Sequence, residues 1–264
     1  MLHVHRSERA DALVVGLADV LSVHAGDPFT PEVVAVPARG VERWLTQRLS
    51  HQLGAGAAGD GVCANVVFPW PSRLVSDAVA AGSGIDPGDD PWRGGRLLWS
   101  VLEVIDASTG QPWLTALGRH LGPHQSEHPD VGRGRRFVAA RHLAGLFDSY
   151  GTHRPASHAA SRAGRDTDGL GEPLPDDLSW QAELWRRLCA RVGTPSPPER
   201  LDAACAALRT DPALSALPPR LSVFGPTRLT ADHVALRTEC CQHRDMVGGA
   251  VGPRRRHPPD DPAR

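Results

Sequence analysis

Two carboxylate pairs, Asp89-Asp90 and Asp176-Asp177, are the residues of this sequence best able to hold a divalent cation or share acid and base duties. Each stands just ahead of a predicted helix, where the positive end of the macrodipole favours negative charge, so helix-start electrostatics accounts for both without a reaction. Histidines at 120, 124 and 128 are spaced to line one helix face, but Gly122, Pro123 and Pro129 predict a loop carrying solvated imidazoles. Cys240, Cys241 and His243 give no better metal pattern. No nucleophile elbow, metal-binding helix, G-x-G-x-x-G or CxxC pair occurs. All 29 basic residues are arginine. A phosphate-binding loop and a Schiff-base enzyme both need a lysine, so both chemistries are excluded for this chain.

What remains is a set of donors and an aromatic suited to binding. Arg39, Arg43 and Gln47 recur every four residues and share one helix face, opposite Val41, Trp44 and Leu45. They form either a solvated polar face or a row of planar donors for phosphates and base edges. Trp70 is held between Pro69 and Pro71 at the end of a predicted strand, the end at which open α/β sheets place ligands. It could stack on an unpaired base or pack into the core. Arg133, Arg135, Arg136 and Arg141 open a later helix and, taken alone, read as a solvated helix start.

The elements that position these residues follow from periodicity. A strand at Leu2 to His5 precedes a helix capped by Ser7, with Ala10, Leu13, Val14, Leu17 and Leu21 at helical spacing. The apolar run Val33 to Val36 precedes the helix of Val41, Trp44, Leu45, Leu49 and Leu53. The run Val62 to Phe68 precedes a helix from Pro71 with Leu74, Val75, Ala78 and Val79. Three strand-helix repeats predict an α/β class with a parallel sheet over 1–82. From 83 to 216 the pattern is helical, with helices near 93–107, 133–150, 177–192 and 198–209, the last opened by a Ser196/Glu199 capping box. Leu221 to Phe224 predicts a return to the sheet over 217–237. Residues 238–264 show no apolar period and are expected to be a disordered tail, as in a truncated or frame-shifted version of a longer protein.

With 41% hydrophobic residues the chain can bury a core. Its apolar runs fall far short of the ~20 residues of a membrane span, and the N-terminus lacks a secretory pattern, so a cytoplasmic protein is expected. Five cysteines at irregular spacing read as reduced thiols. A net charge of −1 leaves nucleic-acid contact only to local patches.

Several segments in order resemble the N-terminal region of the RecC family, the gamma subunit of the bacterial RecBCD nuclease-helicase, exodeoxyribonuclease V. They are Pro31 to Val36 with Gly40 and Trp44-Leu45, Ala64 to Pro71, Leu146 to Tyr150 with His153-Arg154-Pro155, Trp180 to Trp185, and Leu221 to Gly225. The resemblance spans residues 1–237. It implies an inactive superfamily-1 helicase-like sheet domain, without a P-loop, carrying an inserted all-helical subdomain. It further implies RecB-type and RecD-type partners that bind the ATP and Mg, with no cofactor in this chain. The implied role is a non-catalytic one, lining the channel for the unwound single strand and inspecting it for a recombination signal. By position, the resemblance implies Arg39, Arg43, Trp70, Leu146, Asp148, Arg154 and Arg200 as DNA-contacting residues. Two readings compete: an independent enzyme built on Asp148 or Asp176/Asp177, and an interaction fragment that docks on a RecB-type partner without touching DNA.

Overall fold

The first half of the chain alternates strand and helix: β1 (Leu2–Ser7), α1 (Ala10–Ser22), β2 (Glu32–Ala35), α2 (Arg39–Ser50), β3 (Val66–Val67) and α3 (Pro71–Gly82). The computed structural model describes residues 2–23, 27, 29–56, 60–121, 129–225 and 245–251. Two local expectations shift. Ser7 ends β1 instead of capping α1, its Oγ accepting from the Arg9 amide at 3.1 Å, and Arg9 occupies the cap position. The run expected from Val62 pairs only at Val66–Val67, because Asn65 turns the chain at φ 56°.

β4 (Arg220–Phe224) and β5 (Asp245–Val251) complete a five-stranded sheet of order β1-β5-β4-β2-β3, and every pairing is parallel. The structureless tail expected from residue 238 is therefore corrected over Asp245–Val251. That stretch lies between β1 and β4, and it is the strand through which β1 joins the sheet. The rest of the expected tail lies outside the described residues. Val34, Ala35 and Val36 are fully buried, as strands covered on both faces must be. Leu13, Val14, Leu17 and Leu21 of α1, Leu45 and Leu49 of α2, and Phe224 close over β2 in one apolar cluster. At the amino ends of β2 and β4, Arg220 grips Glu32 with two guanidinium nitrogens, a bidentate pair that fixes the register of these neighbours.

The described residues divide into two units. One is drawn from within Met1–Ala78, Ala207–Leu229 and His233–Arg264, and the other from within Val79–Ala206. The second is helical: α4 (Gly94–Ala107), α5 (Thr115–Leu121) after a 3-10 turn at Pro112–Leu114, α6 (Pro129–His153), α7 (Pro155–Arg162), α8 (Ser179–Val192) and α9 (Pro197–Thr210). Its core joins Leu97, Val101 and Ile105 of α4, Leu143 and Phe147 of α6, and Leu184, Trp185 and Leu188 of α8. The Ser196/Glu199 pair forms one half of the predicted capping box: Glu199 Oε2 accepts from the Ser196 amide at 2.7 Å and from its Oγ at 2.6 Å, while the Glu199 amide donates to the Ser196 carbonyl at 2.9 Å. Helices α5 and α7 were not expected; Thr115–Leu121, including His120, is helical where the sequence predicts a loop.

Candidate nucleic-acid interface

The carboxyl ends of β2 and β3 are tied together by the Val36 amide, which donates to the Pro69 carbonyl at 3.1 Å. Beyond that bond β2 runs through Pro37 and the extended Ala38 into α2, while β3 runs through Phe68 and Pro69 to Trp70 and α3. From β2 the chain proceeds outward to β3, whereas from β4 it proceeds the other way to β5. The adjacent strands β2 and β4 therefore form the point at which the connections diverge, where open α/β sheets leave a crevice at their carboxyl ends. Arg39, the first residue of α2, and Gly225, directly after β4, both stand at that end.

On α2 the two faces do different work. Leu45 and Leu49 are buried, and the Trp44 ring lies 6.1 Å from that of Phe224. Arg39, Arg43 and Gln47 are exposed, and among the described residues neither guanidinium has an ion-pair partner. Arg48 is different, since it pairs with Asp11 at 3.7 Å and lies 5.9 Å from the Trp44 ring centre. Trp70 is 52% exposed, whereas Phe68 and Val66 pack on the core, so the tryptophan is a surface group. Its carbonyl accepts from the Arg73 and Leu74 amides at 3.0 and 3.3 Å, fixing the backbone as α3 begins. Arg73 is an exposed cation at this end that the sequence reading passed over; it pairs with Asp77 at 3.6 Å.

The remaining candidates lie in the helical unit. Leu146 is half-buried against its core, Asp148 is exposed on α6, and Arg154 is exposed at the junction of α6 and α7. Arg200 has another use. It is 6% exposed and its Nη2 pairs with the equally buried Asp90, so the guanidinium is committed inside the protein and cannot line a surface. Asp90 is corrected with it. Instead of serving a helix start, its Oδ2 meets Arg200 and its Oδ1 accepts from the Trp92 amide at 3.0 Å. Asp89 pairs with Arg96 at 2.6 Å. Sequence spacing carried a signal here, because Arg200, Ala204 and Leu208 recur every four residues on the face that the helix buries.

His158 is a second polar group in that interior. Its ring stacks on Trp185 at 3.7 Å and 15°, and burial lowers its pKa to about 4, with Glu199 opposing. It is a neutral packing element at ordinary pH. Among the described residues, no three histidine, cysteine, aspartate or glutamate side chains converge as metal ligands would. His124, His128, Cys240, Cys241 and His243 lie outside those residues. Asp176 and Asp177 are exposed ahead of α8, in keeping with a helix start. No described helix is long and apolar enough to cross a membrane.

A family described as "RecC, N-terminal domain" matches residues 2–255. The match extends through β5. The chain is 46% identical over 248 residues to the RecBCD enzyme subunit RecC of Mycobacterium tuberculosis, covering 93% of this chain and 22% of the relative. The RecBCD enzyme subunit RecC of Mycolicibacterium smegmatis is 43% identical over 93% of this chain and 20% of its own length. The Escherichia coli RecBCD enzyme subunit RecC is 27% identical over 71% of this chain and 15% of its own length. The chain thus spans about a fifth of the length of the mycobacterial relatives it matches.

Proposed function

The chain belongs to the RecC N-terminal domain family, and from that premise we propose that it is a non-catalytic, DNA-contacting part of a RecBCD-type helicase-nuclease acting in double-strand-break repair and recombination. In this reading the parallel sheet is a superfamily-1 helicase-like domain without an ATP site, and the helical unit is inserted into it. ATP and Mg bind to RecB-type and RecD-type partners in the cytoplasm. The chain contributes wall to the channel that receives the unwound single strand and inspects it for a recombination signal.

The observation that carries this reading is the shared placement of Arg39, Arg43 and Trp70 at the carboxyl end of the sheet, all three exposed and, among the described residues, with neither arginine in an ion pair. A strand needs cations for its phosphates and flat apolar faces for its unstacked bases. Both are present there, together with Arg73; in the helical unit, Asp148, Arg154 and Leu146 are separate candidates for the channel wall. Arg200 leaves the set because it is buried.

Trp70→Ala tests the stacking contact. Binding to a dT oligonucleotide, followed by fluorescence anisotropy, should weaken by about 1–3 kcal/mol. Because half the ring is in water, the melting temperature should barely move, since exposed substitutions cost within about 0.5 kcal/mol. Equal binding by the parent and the folded variant would remove Trp70 from the interface. A parent that assembles with a RecB-type partner yet binds no strand would favour the docking-fragment reading.

A further inference from the structure

The helical unit carries an exposed aromatic pair that its own packing leaves outside. Trp99 on α4 is 57% exposed and Phe137 on α6 is 38% exposed, their ring centres 6.0 Å apart at 57°, and the neighbouring Val138 is 66% exposed. The same helices bury Leu97, Leu98 and Val101, and Ala139, Ala140 and Leu143, so the core is served by their other sides. Carboxylates close to the pair are already neutralised. Glu103, one turn beyond Trp99, pairs with Arg191 at 2.5 Å, Asp106 pairs with Arg136 at 3.4 Å, and Asp89 holds Arg96. Two cations are not. Arg141, one turn on from Phe137, and Arg135, three residues before Val138, are exposed, and among the described residues neither has an ion-pair partner.

We infer that this face of α4 and α6 is a second contact for single-stranded nucleic acid, with a base stacking on Trp99 and phosphates meeting Arg141 and Arg135. The inference rests on the DNA-contacting reading above and extends it to a different set of residues in the helical unit. Charge decides the occupant. A protein segment covering the aromatic pair would have to strip water from two guanidinium groups or bring carboxylates of its own. Each nucleotide of a strand brings a flat ring and an anion together. The arginine run that opens α6 thereby divides: Arg136 is spent on Asp106, and Arg135 and Arg141 remain for a ligand.

The test uses the full chain and a dT oligonucleotide carrying 5-iododeoxyuridine, with binding measured across a salt series and photo-crosslinks mapped by mass spectrometry. Trp99→Ala should bind about tenfold more weakly, and Trp99→Phe should restore most of that loss. Replacing Arg135 and Arg141 together by alanine should lower the slope of log K against log salt by about 1.4, from about 0.7 for each phosphate on a single strand. A crosslink should map to α4 or α6, and melting temperatures should hold. Variants that bind as the parent does, while Trp70→Ala is weakened, would overturn this inference and leave the sheet-end interface standing. A parent without strand binding would overturn both. Loss of co-purification with a RecB-type subunit at unchanged strand affinity would reassign the face to a protein partner and equally overturn it.

Discussion

Deleting residues 245–264 is expected to unfold the α/β unit. β5 is an interior strand: six residues of β1 and five of β4 are in register with it. Its removal leaves β1 without a partner and opens β4 on one side. At a net 0.5–1.5 kcal/mol for each backbone hydrogen bond lost, the cost is of the same order as the roughly 5–15 kcal/mol that holds a domain folded. Far-ultraviolet circular dichroism during heating should show loss of the α/β transition, and limited proteolysis should cut within residues 2–78. Gly249→Ile offers a milder version. A β-carbon at Gly249 already lies 3.7 Å from Leu13 and 3.8 Å from Phe224, so the remaining branches must displace those side chains, at about 1–3 kcal/mol. A truncated chain that melts as the parent does would show that Asp245–Val251 is dispensable.

Asp90→Ala should be the most destabilising single substitution in the helical unit. It strands the Arg200 guanidinium at 6% exposure with its counter-charge gone, a change that costs about 3–5 kcal/mol when one partner of a buried pair is removed. Arg200→Met alone should cost a similar amount by isolating Asp90. The two together, Asp90→Leu with Arg200→Met, should recover much of the loss, because the charge is then absent from both sides. Urea denaturation of the parent, Asp90→Leu, Arg200→Met and the double variant gives the coupling directly. If Asp90→Ala lowered stability by less than about 1 kcal/mol, Arg200 would have to reach water, and a role in contacting DNA would reopen.

What the sequence reveals depends on where each element keeps its hydrophobic signal. β1, β2, α1 and α2 carry it in their own residues, and their type and order are legible at once. β5 does not. Asp-Met-Val-Gly-Gly-Ala-Val has two glycines in its centre, which weaken a strand pattern, and a β-carbon at Gly249 would meet Leu13 and Phe224 at ordinary contact distance, so only larger side chains are resisted there. Helix α7 is hidden for a different reason. Pro155 reads as a break after α6, yet it stands at the first turn of the next helix, where a missing amide costs nothing. Of the binding candidates, Arg39 and Arg43 are legible from four-residue spacing, since the same period that buries Leu45 and Leu49 turns them outward. The orientation of Trp70 is not: two flanking prolines fix its backbone, but whether its ring meets the core depends on which neighbour, Phe68 or Trp70, faces inward. Arg200 matches the family by position, yet its place on the stripe of Ala204 and Leu208 turns it inward, away from any strand.

The fall of log K with log salt for a dT oligonucleotide, compared between the parent chain and the Arg39→Ala/Arg43→Ala variant, measures the interface at the sheet's carboxyl end most directly. Phosphates neutralised by these guanidinium groups release counterions, so binding should weaken linearly as salt rises, and the double variant should show a slope smaller by about 1.4. Its melting temperature should match the parent's, because both side chains are exposed. Parallel lines of equal height would contradict the placement of a strand on Arg39 and Arg43.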